Sequence, residues 1–195
     1  MLRIDADIQA HRREFARAVA NNHYERAEGG RILFPKQKAF LHGAMISTIN
    51  GRDEQIDPNI IPTEGLNYML DVGVHDATKV SAWYVALFNT NTTPQDTLTG
   101  ANFAATQGEY TGYSETTRVA YVEAAASAGA TSNTASRAEF TIVTPTTVYG
   151  AALLSLDTKA GVTGKCLACS KFSAGRAVIL DDLLQILYSL SLSSA

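Results

Sequence analysis

Apolar residues recur along this chain with two different spacings. In two segments before residue 75 they return every three or four positions, which is typical of amphipathic helices. This spacing predicts a helix over residues 5–27, ended by Gly29 and Gly30, and a shorter helix that begins after Pro62. The shorter helix carries its apolar residues in one stripe: Leu66, Met69, Leu70 and Val74.

Beyond His75 the apolar residues alternate with polar ones, and this alternation predicts strands. The first strand is apolar on both faces, so we expect both faces to be covered. The predicted strands are residues 80–88, 118–123, 139–143, 148–156, 165–172, 177–180 and 185–192. Short strands with no helix between them indicate a mainly β fold: an antiparallel β-sandwich, jelly-roll or immunoglobulin-like, with an N-terminal helix-containing arm.

The stretch between the two predicted helices has scattered apolar residues, three prolines and an acidic run at residues 52–57, which we interpret as a solvated loop. Such a segment is typical of an extended arm that packs against another protein. We therefore divide the chain into an arm, residues 1–62, and a sandwich domain with a short leading helix, residues 63–195. The bulky candidates for contact with a partner are Phe15, Phe34, Phe40, Leu41, Met45 and Ile49.

Charge separates the arm from the rest of the chain. Only 18% of the 195 residues are charged, against about 25% in an average protein, and a low charge favours close packing against neighbours. Residues 1–38 hold eight basic and five acidic residues, a net charge of +3; since the whole chain carries −3, the remainder carries −6. A basic arm favours docking on an acidic partner surface, with Arg12, Arg13 and Arg17 as candidate contacts.

The net charge and the absence of long apolar runs argue against several classes of partner. A chain that is acidic overall is not expected to be a general nucleic-acid binder. No run of about 18 apolar residues predicts a membrane span. The first residues lack the continuous apolar stretch of a secretory signal, so we expect a protein made in the cytoplasm with reduced thiols.

Candidate chemistry begins with Cys166 and Cys169, a CxxC pair in a predicted strand. A structural zinc site needs four ligands, the sequence has no second cysteine pair, and residues three apart in a strand point to opposite faces. We therefore expect two buried side chains. No nucleophile elbow, phosphate-binding glycine loop or calcium loop matches, so the sequence predicts no enzyme, no catalytic residue, no cofactor and no metal.

Three segments, in this order, carry a resemblance to a known family: TEGLNYMLDV at residues 63–72, WYVALF at 83–88 and TGYSETTR at 111–118. Together with AEFTI at 138–142 they resemble a family of small virion structural proteins of tailed phages, which assigns no active residues. The resemblance implies a capsid cement or decoration protein on the virion surface that binds the major capsid protein, as a dimer or trimer. The alternatives are a tail or neck component, or a receptor- or carbohydrate-binding module that uses loops 89–112 and 124–136.

Overall fold

The computed structural model describes residues 25–26, 32–33 and 39–194 of the chain. The chain divides into a unit of residues 41–192 and a terminal unit. In the terminal unit, the strands β1 (Glu25–Arg26) and β2 (Ile32–Leu33) pair in antiparallel fashion. The predicted helix over residues 5–27 is therefore wrong at its C-terminal end, where β1 lies, and residues 5–24 lie outside the described residues.

The larger unit is mainly β and forms an antiparallel sandwich with one α-helix. A π-helix at Ala104–Gly108 interrupts the long loop after the fifth strand. The elements in chain order are β3 (Ala39–Ile49), β4 (Arg52–Pro58), α1 (Thr63–Val74), β5 (Trp83–Phe88), β6 (Glu109–Tyr110), β7 (Val119–Tyr121), β8 (Ala130–Ser132), β9 (Ala138–Thr141), β10 (Thr146–Leu154), β11 (Cys166–Val178) and β12 (Leu183–Ser194).

Each of the two sheets has five strands, and in each sheet two short strands share one edge. The first sheet has the order β11-β10-β5-β6, and β7 also pairs with β5. The second has the order β4-β3-β12-β8, and β9 also pairs with β12. The two sheets face each other across a core to which both contribute, for example Leu153 from β10 and Ile186 from β12. This arrangement confirms the predicted mainly β sandwich.

The edges of the two sheets that carry β4 and β11 are joined by hydrogen bonds. Ile60, just after β4, exchanges two backbone hydrogen bonds with Cys169 of β11, at 2.9 and 3.0 Å. The Ser173 N–H donates to the buried carboxylate of Asp57 at 2.7 Å, and Gln55 donates to the carbonyl of Ala174 at 3.2 Å. The sheets therefore curl toward each other and close one side of the sandwich.

A second, smaller core lies on the outer face of the first sheet. Val85 and Leu87 of β5 point into the main core, whereas Ala86 and Phe88 point to the opposite face. That face is covered by the loop after β5, whose buried side chains Leu98 and Phe103 pack against it; Phe103 makes an edge-on contact with Phe88 at 6.2 Å between ring centroids. The prediction that this strand is covered on both faces is confirmed.

The structure differs from the sequence prediction in the region between residues 39 and 62. We expected an extended arm there, but residues 41–62 belong to the compact unit, and they include β4 and nearly all of β3. The two strands form a hairpin through Asn50 and Gly51, which both have positive φ angles, 53° and 70°, as a tight hairpin turn requires. The acidic run at residues 52–57 is therefore a strand and not a solvated loop.

A second difference concerns β11, which we predicted as two strands separated by a turn at residues 173–175. The structure has one strand, with a bulge at this position: Gly150 of β10 pairs with Lys171, and Val148 pairs with Arg176. The extra residues stay extended because β4 binds the backbone of Ser173 and Ala174 from the other side.

Candidate interaction surface

Arg118 and Glu109 form a buried ion pair beside the loops of the first sheet. Their side chains are 0% and 1% exposed. Arg118 Nε and Nη2 donate to the two carboxylate oxygens of Glu109 at 2.8 and 2.6 Å, and Nη1 donates to the carbonyl of Leu156 at 2.9 Å. Glu109 also accepts from the N–H of Ala160 at 3.1 Å. The pair joins β6, the start of β7 and the loop after β10, and its donors and acceptors are engaged in holding them.

A shallow depression of about 370 Å³ lies beside this ion pair. Its residues are Asn89, Glu109, Tyr110, Thr111, Gly112, Thr144, Pro145 and Thr146. Glu109 is the one ionisable carboxylate of that lining, and Arg118 already binds it in a bidentate manner. The Tyr110 hydroxyl lies between the carbonyl oxygens of Gly112 and Thr144. The lining therefore presents no acid–base pair that is free to act on a substrate.

Cys166 and Cys169 are both buried, as predicted, and both are free thiols. The reasoning that placed them on opposite faces of the strand was wrong. Leu154 pairs with Cys166 and Leu153 with Ala168, so Leu167 is an extra residue that shifts the register and brings both thiols to the face of the second core. Among the residues that the structure describes, no three of His, Cys, Asp and Glu are grouped so as to hold a metal ion.

Burial of these thiols makes the fold sensitive to alkali. Removal from water raises the pKa of Cys166 from 9.0 to about 12, and it raises the pKa of Cys169 well above 9.0. The folded protein keeps these protons at a pH where the unfolded chain loses them, so the stabilising contribution is intact below pH 9 and is lost as the pH rises toward 12. We expect the free energy of unfolding to fall by about 1–3 kcal/mol between about pH 8 and pH 10, measured by urea denaturation.

The control for the alkali experiment is the double variant Cys166→Ala/Cys169→Ala. Burial also raises the pKa values of Tyr110, Tyr113, Tyr121 and Tyr188 above 10.0, so the double variant retains a weaker loss of stability that begins at higher pH. If the double variant lost as much stability as the wild type between about pH 8 and pH 10, the thiols would not be the cause.

The apolar contact candidates from the sequence occupy several environments. Met45 is fully buried in the main core, and Ile49 packs against that core from a half-buried position. Leu41 is also half-buried, whereas Phe40 is exposed. Alternation along β3 turns Met45 inward, so it stabilises the sandwich and is not accessible to a partner. The other candidates, Arg12, Arg13, Phe15, Arg17 and Phe34, lie outside the described residues.

Helix α1 carries a row of exposed apolar residues, which also stand out in the sequence pattern. The predicted helix is confirmed, and it packs on the sandwich through Gly65, Tyr68 and Met69. Tyr68 contacts Trp83 of β5 edge-on at 5.2 Å between ring centroids. Leu66, Leu70 and Val74, four residues apart, lie on another side of the helix and are 45%, 62% and 82% exposed. We call these three residues the α1 stripe.

The α1 stripe was visible in the sequence, but its orientation was not. The spacing of Leu66, Met69, Leu70 and Val74 predicts a single apolar stripe on the helix but does not say which side of the helix packs on the sandwich. In the structure Gly65 is the buried contact of the helix, because its missing side chain lets the helix approach the carbonyl oxygens of Cys166 and Leu167. This close approach turns Met69 toward the core and leaves the α1 stripe in solvent.

Acidic groups flank the α1 stripe. Asp71 lies in the last turn of the helix, Asp76 follows its end, and the last turn holds no basic residue. The C-terminal end of a helix carries a partial negative charge, which acidic neighbours reinforce. Glu64 contributes less to this surface, since its carboxylate accepts hydrogen bonds from the N–H groups of Gly100 and Cys166 at 2.8 and 2.6 Å. The surface is therefore aliphatic at its centre and negative at one end.

This chain matches no protein-family model, no curated protein and no solved structure. Within the described part of the chain, no helix has the length and apolar character needed to cross a membrane.

Proposed function

We propose that this chain is a non-catalytic structural protein that attaches to a protein lattice through the α1 stripe, and that the lattice is the capsid of a tailed phage. In this role it is a cement or decoration protein on the virion surface, and its partner is the major capsid protein. The observation that carries the proposal is the row of three exposed aliphatic side chains on a helix whose opposite side is fixed to the sandwich.

The location of the α1 stripe on a fixed element supports this function. Three large aliphatic side chains aligned on one side of a helix resemble the anchors of a helix that docks against another protein. Helix α1 is held by the Tyr68–Trp83 contact and by the hydrogen bond from the N–H of Val80 to the Tyr68 hydroxyl at 2.9 Å. Little conformational freedom is lost when a pre-organised surface binds, which favours affinity.

The chemistry of the partner follows from the charges around the α1 stripe. An aliphatic surface with Asp71 and Asp76 at one end fits a partner groove that is apolar inside and basic at its rim. A lattice repeats such a groove many times, so a modest affinity at each site is sufficient when copies associate as a dimer or trimer. The basic residues Arg12, Arg13 and Arg17 stay candidates for a second, charge-guided contact.

The direct test replaces Leu70 by aspartate and measures binding to heads that were assembled without this protein. Burial of a leucine contributes about 1.5–3 kcal/mol, and a buried unpaired charge adds a further penalty, so we expect the affinity to fall by at least about tenfold. Leu70 is 62% exposed, so the folded protein should keep its thermal stability. Co-sedimentation with purified heads measures the bound fraction.

The matched control is Val162→Asp, since Val162 is 65% exposed and lies in the loop after β10. This variant introduces the same charge away from the helix, and we expect wild-type binding. Equal binding by both variants would contradict attachment through the α1 stripe.

The copy number in each particle distinguishes a tail or neck component from a capsid cement protein. A cement protein is present in many copies for each head, whereas a neck or tail component is present in few. Quantitative mass spectrometry of purified particles measures the number of copies for each head. A low copy number would contradict the cement role and support a tail or neck component.

A further inference from the structure

The loop between β5 and β6 is a folded structure with its own fixed geometry. Leu98 and Phe103 anchor it from below in the second core. Thr99 and Asn102 exchange hydrogen bonds: the Thr99 N–H donates to Asn102 Oδ1 at 2.8 Å, and the Asn102 N–H donates to Thr99 Oγ1 at 3.2 Å. The Thr106 hydroxyl donates to the carbonyl of Asn102 at 2.9 Å. The groups on the outer side of this loop are therefore held in place.

A small depression of about 130 Å³ lies in this loop. Its lining consists of hydroxyl and amide side chains and one leucine: Thr92, Thr93, Gln95, Thr97, Leu98, Asn102, Thr106 and Gln107. None of these side chains is ionisable. A lining of neutral donors and acceptors on a framework of fixed backbone is suited to a neutral ligand with several hydroxyl groups.

Gln107 supplies an independent reason to expect a ligand. It is 3% exposed, it lines the depression, and its Oε1 is buried without a hydrogen-bond partner in the protein. A buried amide oxygen without a partner is unfavourable, so such atoms are normally satisfied by water or by a ligand. Gln107 lies in the π-helix Ala104–Gly108, and short π-helices occur frequently at functional sites.

We propose that this depression binds one monosaccharide unit. One sugar hydroxyl donates to Gln107 Oε1 after the Gln107 side chain turns toward the ligand, and the threonine hydroxyls and Gln95 Oε1 contact the other hydroxyls. The size restricts the ligand to a single ring, since a cavity of about 150 Å³ accommodates a benzene molecule. The absence of a cationic side chain in the lining disfavours phosphate or sulfate as the ligand. This binding is separate from lattice attachment, because the α1 stripe contributes no residue to the depression.

The test is a titration of the ¹⁵N-labelled full-length chain, followed by NMR, with D-glucose, D-galactose, N-acetyl-D-glucosamine and, as an anion control, sodium sulfate. Sugars are added to about 50 mM, which detects dissociation constants in the millimolar range. We expect at least one sugar to produce saturable shifts of the Gln107 side-chain amide and of the backbone around Thr93. An absence of saturable shifts with all three sugars, or a response to sulfate alone, would overturn the proposal and leave water as the partner of Gln107.

Two variants of lining residues and one control variant test whether the sugar binds in this depression. Thr93→Val removes a lining hydroxyl, and we expect the affinity for the sugar to fall by about 3- to 10-fold, the effect of one neutral hydrogen bond. Gln107→Met keeps the volume but removes the buried oxygen, so it should weaken binding without lowering the melting temperature of the free protein. Thr147→Val, on β10 and outside the depression, should bind as the wild type does. Equal affinities for the wild type and both lining variants would show that the sugar binds elsewhere.

Discussion

Replacement of Arg118 by methionine should lower the free energy of unfolding by about 3–5 kcal/mol, the usual effect of removing one partner from a buried ion pair. Methionine fills much of the space of the arginine side chain but leaves the carboxylate of Glu109 buried without its counterion. It also removes the hydrogen bond to the carbonyl of Leu156, which connects this pair to the loop after β10. Chemical denaturation followed by far-UV circular dichroism measures the change.

The chain contains a matched exposed ion pair for comparison. Arg137 Nη2 lies 3.7 Å from Glu54 Oε2, and the two side chains are 28% and 53% exposed. Arg137→Met should change the stability by no more than about 1 kcal/mol, since solvent screens an exposed pair. The double variant Arg118→Met/Glu109→Leu removes both buried charges and should recover part of the stability lost in Arg118→Met. A double variant as unstable as the single one would contradict an unpaired Glu109 as the cause.

Gly65→Ala should destabilise the protein by about 1–3 kcal/mol, the range expected when an atom is inserted into a packed contact. An alanine Cβ at this position would overlap the carbonyl oxygen of Leu167 and lie 3.1 Å from the carbonyl oxygen of Cys166. Both are backbone atoms of β11, so neither can rotate away as a side chain does. Helix α1 must shift outward, and we expect the fluorescence of Trp83 to change because Tyr68 loses its edge-on contact.

Gly73 in the same helix provides the control for Gly65. A Cβ at Gly73 would meet no atom within 4 Å. Gly73→Ala should therefore stabilise the protein by about 0.5–1 kcal/mol, because alanine loses less conformational entropy in a helix than glycine does. If both substitutions raised the stability, the close approach of the helix to β11 would not hold in solution.

Most strands after residue 75 were predictable because alternation is a local signal that the fold preserves. The short strands β6 and β8 were not predicted, since they lie in segments that were interpreted as loops and are too short to show alternation. The hairpin of β3 and β4 was not predicted, although Asn50-Gly51 is a strong hairpin signal. Ser47, Thr48 and Asp57 are buried polar residues, and they break the apolar alternation that marks a strand. Their burial depends on distant partners, such as the N–H of Ser173 for Asp57, and no window of neighbouring residues contains that information.

The candidate surface was predictable only in part, because helical spacing is a local signal whereas the packing of the helix is not. Helical spacing located α1 and its apolar residues, but the choice of the buried side depends on how closely Gly65 approaches β11. The bulge at Leu167, which sets the faces of Cys166 and Cys169, depends on pairing with β10. Gln107 gave no sequence signal at all, since an isolated glutamine in a polar loop is ordinary, and only its burial without a partner draws attention to it.

The hydrogen bonds between β4 and β11 also affect how copies of this protein behave when crowded. An exposed strand edge offers free N–H and C=O groups that can recruit a strand from another molecule and start aggregation. Here the N–H of Ser173 and the carbonyl of Ala174 on β11 are bound by side chains of β4, and Cys169 is bound by Ile60. Strand addition at this edge would have to break those bonds first, so the protein can reach a high local concentration with this edge protected from intermolecular β-sheet growth.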